Sequence, residues 1–164
     1  DDRINYISSK VKENSSIKRS VLTIEWYAPV MIGGLWLPEM IEIAGGNYLY
    51  ATPGERALTV TREKLNEINP DVVIIKPCGF KLDQTMKELE TLNRNIPLEN
   101  WKAYQNSDIF IVDGNAYFNR PGPRMSDSLE ILSYCLHPKI FPEFLEKYGS
   151  SLVKLGPGLE FMQS

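Results

Sequence analysis

Aromatic, arginine and asparagine side chains are concentrated in residues 113–124, which have the sequence DGNAYFNRPGPR. A short apolar run precedes this segment and a helical pattern of apolar residues follows it. Such a strand-to-helix joint presents its side chains at the edge of a sheet, where α/β proteins bind small molecules. The residue types offer aromatic faces and hydrogen-bond donors, with no obvious catalytic machinery. We therefore interpret the segment as half of a small-molecule site.

Two other joints, residues 25–36 and 77–80, also follow apolar runs that are typical of strands. The carboxyl ends of parallel strands lie along one edge of a sheet, so we expect all three joints to meet there. The side chains predicted to face a ligand at this edge are Trp26, Tyr27, Trp36, Phe80, Tyr117, Phe118 and Arg120. Together they suit a large ligand that is partly apolar and partly anionic.

Within the third joint, Tyr117 and Phe118 are adjacent, so on an extended segment they point in opposite directions and at most one faces the ligand. Arg124 stands at the start of a helix, where the helix dipole favours anions. Its guanidinium therefore needs a partner, and the candidates are a ligand or an internal carboxylate such as Asp113 or Asp127.

Strand and helix patterns alternate about three times along the chain. Residues 21–26, 72–75 and 109–112 are apolar runs of strand length, and residues 47–50 form a possible short strand. Apolar residues at helical spacing follow each main strand, with Met125, Leu129, Leu132 and Leu136 as the strongest example. This order predicts a three-layer α/β/α lobe with a mostly parallel central sheet. A helix with a narrow apolar stripe precedes it and extends to about residue 13.

Composition excludes several classes of function. The chain has 164 residues, 43% hydrophobic and 24% charged, which is typical of a globular domain with a real core. A formal net charge of −3 provides no basic field for nucleic acid. The sequence contains no run of about 18 apolar residues, which a transmembrane helix requires, so we expect no membrane insertion by this segment. The first residues lack the apolar core of a signal peptide.

Catalysis has little support in the sequence. The phosphate-binding, dinucleotide-binding and HExxH zinc motifs are missing. Cys78 follows a strand and could be an activated thiol, but the only histidine is His137, which we expect to be a solvated helix cap. Cys78, Cys135 and His137 match no metal-ligand spacing. We predict that the chain is not an enzyme, with a cysteine or metal-dependent hydrolase as the alternative and a protein-interaction domain as a third option.

Several runs of residues resemble one protein family. They are EWYAP with GGLWLPEMIEIAGG, PDVVIIKPCGF, and DGNAYFNRPGPR followed by SLEILSYCLHP. Over residues 3–148 the chain resembles the C-terminal lobe of the substrate-binding proteins of ABC importers. It is most similar to the cobalamin-binding type, within the class that serves cobalamin, haem and iron-siderophores. Members of this class have two α/β lobes joined by a long helix, with the ligand held between the lobes.

The resemblance implies a domain organisation and a function. Residues 1–16 would be the end of the connecting helix, 17–149 the C-terminal lobe and 150–164 a loose tail, with the N-terminal lobe and any leader outside this chain. The protein would be extracytoplasmic, in the periplasm or at the outer face of the membrane. It would carry a cobalamin-like corrinoid as transported ligand, with haem or an iron-siderophore as alternatives, and it would need no cofactor.

The resemblance also implies a protein partner. Glu63, in the first turn of a predicted helix, matches a glutamate that docks into the importer's permease; an acidic residue is also favoured there by the helix dipole alone. One departure concerns the first joint, where Ala28 stands before Pro29 in place of the acidic residue that is common in the family.

Overall fold

The computed structural model describes residues 2–15, 17–50, 54–118 and 121–158. Within these ranges the chain forms one sheet of seven strands. The strands are β1 (Arg19–Tyr27), β2 (Val30–Ile32), β3 (Gly46–Tyr48), β4 (Leu58–Val60), β5 (Val72–Ile75), β6 (Ile109–Val112) and β7 (Leu152–Leu155).

The centre of the sheet is parallel, as predicted. The strand order is β4-β2-β1-β5-β6-β7, and β3 pairs in parallel with the first residues of β1. The strands β1, β5 and β6 run in parallel, with Val21 opposite Val72 and Val73 opposite Ile109. Every residue of β5 and β6 is buried, which explains why both strands are continuous apolar runs.

Antiparallel strands form both edges of the sheet. The strands β2 and β4 pair in this way beyond β1, and β7 pairs with β6. The expectation of a loose tail from residue 150 was wrong for Leu152–Leu155, because this segment pairs with the exposed edge of β6 and buries three of its four side chains. Residues 159–164 lie outside the described part of the chain.

Helices cover both faces of the sheet. They are α1 (Asp2–Asn14), α2 (Leu37–Ile43), α3 (Arg62–Asn66), α4 (Leu82–Met86), α5 (Leu89–Asn95), α6 (Lys102–Gln105), α7 (Gly114–Tyr117), α8 (Met125–Leu136) and α9 (Pro142–Tyr148). One apolar core joins the sheet to α1, α2, α8 and α9, and a second core on the other face includes residues of α3, α5 and α6. The predicted three-layer α/β/α arrangement is therefore confirmed.

The helix α1 is attached to the lobe by both apolar and charged contacts. Ile7 is fully buried, and Ile4 and Val11 pack beside it, as the narrow stripe predicted. Near the start of the helix, the Arg3 Nε donates to a Glu130 carboxylate oxygen at 2.7 Å, and the guanidinium also pairs with Asp127. The first helix is thus fixed to α8 over at least two turns.

Candidate ligand-binding edge of the sheet

Residues 25–36, 77–80 and the described part of residues 113–124, which we call the three loops, lie side by side at one edge of the sheet. The prediction of a strand-to-helix joint at residues 25–36 was wrong, because residues 25–27 end β1 and the chain turns back into the antiparallel strand β2 before α2 begins. Main-chain hydrogen bonds join the three loops. The Cys78 amide donates to the Glu25 carbonyl at 3.0 Å, and the Asn115 amide donates to the Phe80 carbonyl at 3.0 Å. The prediction that the three joints meet is therefore confirmed by direct contact between their backbones.

Three of the predicted aromatic residues pack together at this edge, and we call Trp26, Tyr27 and Phe80 the aromatic cluster. The ring centroids of Trp26 and Tyr27 are 4.8 Å apart, and Phe80 meets Trp26 edge to face at 5.1 Å. Tyr27 is only 8% exposed, whereas Trp26 and Phe80 are half-buried. The Asn95 side-chain amide donates to the Tyr27 carbonyl at 2.9 Å. Tyr27 therefore supports two rings that keep part of their surface free.

The third loop begins as a single helical turn, not as an extended segment. Asp113 caps α7 by accepting a hydrogen bond from the Ala116 amide at 2.8 Å. Phe118 follows the turn and is 5% exposed within the apolar core, while Tyr117 is half-buried. The prediction of an extended pair was wrong, because an Asp cap initiates helix at this position. Tyr117 is consequently the member of the pair that reaches the surface.

Arg124 interacts with the same helical turn. Its guanidinium donates to the Ala116 carbonyl at 3.2 Å and lies 5.7 Å from the centre of the Tyr117 ring. The expected internal carboxylate partners were wrong, since Asp113 caps α7 and Asp127 pairs with Arg3. Arg124 remains exposed and available to a ligand.

A cavity of about 490 Å³ opens between α7 and the turn that precedes α8. Its lining residues are Asn115, Ala116, Tyr117, Pro121, Gly122, Pro123 and Arg124. An aromatic ring, an amide and a guanidinium therefore share one concave surface. Tyr117 packs with the core on the α1, α2 and α8 face of the sheet, whereas the aromatic cluster packs with the core on the opposite face. The predicted contact Arg120 lies outside the described residues.

Trp36 lies apart from the aromatic cluster. It packs with the core on the α1, α2 and α8 face of the sheet, whereas Trp26 packs with the core on the opposite face. A cavity of about 200 Å³ separates Trp36 from Ile4 and Met125. The edge of the sheet thus carries two separate aromatic surfaces, and Trp36 belongs to the one beside the first helix.

Lys76 is a residue of this edge that the sequence analysis missed. It directly follows β5 and is only 2% exposed. Its Nζ lies 5.6 Å from the centre of the Phe118 ring. Burial lowers the pKa of this ammonium, and the negative charge of Glu25 opposes that shift. The available signal was a lysine placed immediately after four apolar strand residues.

The residues considered for catalysis lie at opposite ends of the sheet. His137 is 7% exposed, and its Nε2 is 2.8 Å from the Ala44 carbonyl, so the expected solvated cap was wrong. The neighbouring Leu136 carbonyl accepts a hydrogen bond from Arg19, at the start of β1. Exposed Cys78 lies at the other end of the sheet, about six residues or roughly 20 Å further along β1. A cysteine–histidine pair therefore cannot form between them.

In the described part of the chain, no cluster of three or more histidine, cysteine, aspartate or glutamate residues is arranged to hold a metal ion. No helix in the same part of the chain has the length and apolar character needed to cross a bilayer.

Glu63 is exposed in the first turn of α3, the helix that follows β4. The helix begins at Thr61, whose hydroxyl accepts a hydrogen bond from the Lys64 amide at 3.3 Å. The neighbouring Arg62 turns toward α5, where its guanidinium donates to the Arg94 carbonyl at 2.8 Å. The Glu63 carboxylate is thus presented to solvent on a well-capped helix.

Comparison with known proteins identifies the fold. No protein-family model matches the sequence, and no curated protein matches it. Solved structures of substrate-binding proteins do match, at low sequence identity. The chain is similar to a periplasmic heme binding protein from Pseudomonas aeruginosa, with 20% identity and a TM-score of 0.68 over 84% of this chain and 50% of that one.

Two further structures give the same result. An ABC transporter substrate-binding protein from Listeria monocytogenes has 17% identity and a TM-score of 0.70, over 84% of this chain and 54% of that one. A periplasmic vitamin B12 binding protein of Vibrio cholerae has 16% identity and a TM-score of 0.62, over 84% and 50%. The chain therefore spans about half the length of the structures it matches. Its fold is that of one lobe of a periplasmic substrate-binding protein, which confirms the resemblance at the level of fold.

Proposed function

We propose that the chain is one lobe of an extracytoplasmic substrate-binding protein that captures a corrinoid between two lobes and delivers it to an ABC importer. The observation that carries the proposal is the aromatic cluster at the edge where the three strand-end loops meet. Trp26 and Phe80 keep part of their ring surface free there, and the cavity beside Tyr117 adds an amide and a guanidinium. Such an edge suits a large ring system with polar side groups.

The proposal assigns separate roles to two groups of residues. The strand-end loops bind the ligand, whereas Glu63 on α3 docks to the permease through its exposed carboxylate. Arg62 does not oppose this contact directly, because its guanidinium is held by main-chain carbonyls of the α5 region.

Titration of the full-length protein tests the ligand class. Cyanocobalamin, haem and a ferric siderophore are added separately, and binding is followed by quenching of tryptophan fluorescence and by calorimetry. We expect cyanocobalamin to bind most tightly. If haem or the siderophore binds most tightly, that compound and not the corrinoid is the ligand of the protein. If no ligand binds more tightly than about millimolar, where only about 4 kcal/mol of binding free energy remains, the proposed function is refuted.

Two variants test ligand binding and permease docking separately. Trp26→Ala should weaken ligand binding by about 10- to 100-fold, since removal of a central aromatic contact typically costs about 2 kcal/mol or more. Glu63→Gln serves as the matched control, because it should leave ligand affinity unchanged and reduce ligand uptake by the reconstituted importer. Equal ligand affinities in wild type and Trp26→Ala would show that the aromatic cluster does not contribute to ligand binding.

A further inference from the structure

Lys76 is a buried cation that the proposed site does not yet use. Its side chain is 2% exposed and is among the largest fully buried side chains of the described chain. Its Nζ lies 5.6 Å from the centre of the Phe118 ring. Among the described residues no fully buried side-chain nitrogen or oxygen lacks a hydrogen-bond partner. Buried charges are normally paired, because removing an ammonium from water without a partner costs several kcal/mol.

The position of the ammonium relates it to two of the ligand loops. A methyl group added to Gly33, in the first loop, would lie 3.4 Å from the Nζ. Phe118, in the third loop, has its ring centre 5.6 Å from the same atom. Lys76 itself begins the second loop, and its amide donates to the Ile24 carbonyl at 2.9 Å. The ammonium therefore lies beneath the point where all three loops meet.

A lysine can bring its charge to a ligand from this position. The side chain has four methylene groups, and rotation about their bonds can move the ammonium by several ångströms. Glu25, on the neighbouring strand, is half-buried and contributes a favourable charge without forming an ion pair. A methionine would fill the same space without the desolvation cost, so packing alone does not account for a lysine.

We propose that Lys76 binds an anionic group of the ligand, a carboxylate or a phosphodiester, at the floor of the cleft. The proposal rests on the proposed function and specifies the chemistry of that same site. The ammonium gains an anionic partner, and the ligand gains a charge-assisted contact in a place from which water is largely excluded. Ligands that lack the anionic group lose this contact and bind more weakly.

Matched pairs of probes test the proposal on the full-length protein. One pair is haem and its dimethyl ester, which lacks the free carboxylates. The other is cyanocobalamin and dicyanocobinamide, which lacks the phosphodiester together with the ribose and benzimidazole attached to it, so the effect of Lys76→Met on each probe is what isolates the anionic contact. Each probe is titrated against wild type, Lys76→Met, Lys76→Arg and a control, Lys154→Met. Lys154 also lies over an aromatic ring, 5.5 Å from the centre of Phe110, but on the edge strand β7 away from the three loops.

In the pair that the wild type binds, we expect the anionic member to bind at least about tenfold more tightly than its neutral partner. Lys76→Met should abolish this preference by weakening the anionic member alone, Lys76→Arg should retain part of it, and Lys154→Met should retain all of it. Lys76→Met should also raise the melting temperature of the free protein, because it removes a charge whose burial is unfavourable.

Each other outcome overturns the proposal. If the wild type binds a pair without preference, or if Lys76→Met keeps the preference, the lysine does not contact the anionic group and the proposed function stands. If Lys76→Met lowers the melting temperature and weakens all probes equally, the role of Lys76 is structural. If the wild type binds none of the four probes, the proposed function fails together with this inference.

Discussion

Replacement of Glu130 by glutamine provides a sharp test of how the first helix is held to the lobe. The Glu130 side chain is 7% exposed, and its carboxylate accepts hydrogen bonds from Arg3 at 2.7 Å, Lys147 at 2.8 Å and the Tyr148 hydroxyl at 2.6 Å. Glutamine has almost the same shape but no charge. Glu130→Gln therefore removes the electrostatic part of the network and leaves the packing of α8 in place.

The magnitude follows from the acidity of this carboxyl group. Burial opposes its ionisation, but the hydrogen bonds from Arg3, Lys147 and Tyr148 outweigh burial and lower its pKa from 4.5 to about 2. At about 1.4 kcal/mol for each tenfold change in acidity, the ionised form stabilises the fold by about 3 kcal/mol at pH 7. The unfolded chain binds a proton near pH 4.5 and the folded chain only near pH 2. This stabilisation is therefore complete above pH 4.5 and is lost as the pH falls toward 2.

Urea denaturation of wild type and Glu130→Gln between pH 7 and pH 3 measures the effect. We expect the difference in free energy of unfolding to be about 3 kcal/mol at pH 7 and to decrease by about half at pH 3. Glu90→Gln is the control, because Glu90 pairs with Arg94 on an exposed surface where both side chains are more than two-thirds exposed, at 83% and 70%. That variant should match the wild type throughout. A difference for Glu130→Gln that does not change with pH would refute the argument.

Two further predictions concern His137 and the cysteines. Burial lowers the pKa of His137 below 6.5 although its bond to the Ala44 carbonyl opposes that shift, so the unfolded chain takes up a proton that the folded chain does not. Stability should fall as the pH decreases below about 6.5, and His137→Gln should abolish this part of the pH dependence in urea denaturation; an identical slope in both proteins would contradict the assignment. In the native protein, iodoacetamide should modify exposed Cys78 and leave Cys135, whose burial raises its thiol pKa, unmodified until denaturant is added. Mass spectrometry after brief labelling checks this, and rapid native modification of Cys135 would contradict its burial.

The long periodic elements of the fold were predictable from sequence. The strands β5 and β6 are continuous apolar runs, and α8 carries apolar residues at regular helical spacing. The local pattern of apolar residues therefore predicts each of these elements. The short strands β2, β4 and β7 have three or four residues each. Segments of that length carry no usable periodicity, and their structure depends on partners that are distant in the sequence.

The candidate site was predictable in position but not in the direction of its side chains. The parallel topology brings the three loops together, and this followed from the order of strands and helices. Phe118 turns into the core because Asp113 starts a helical turn, and a single cap residue is a weak signal by itself. Lys76 and His137 are buried by loops and helices from other parts of the chain, which no local pattern records.

The antiparallel strand β7 also determines when the sheet can be completed during synthesis. A ribosome releases the chain from its N-terminus, so β6 emerges about forty residues before the strand that covers its outer edge. Until Leu152–Leu155 arrives, β6 presents a row of unpaired backbone groups along an entirely apolar strand. The nascent lobe therefore passes through a stage in which its central sheet is open to pairing with another chain, and the last strand ends that stage.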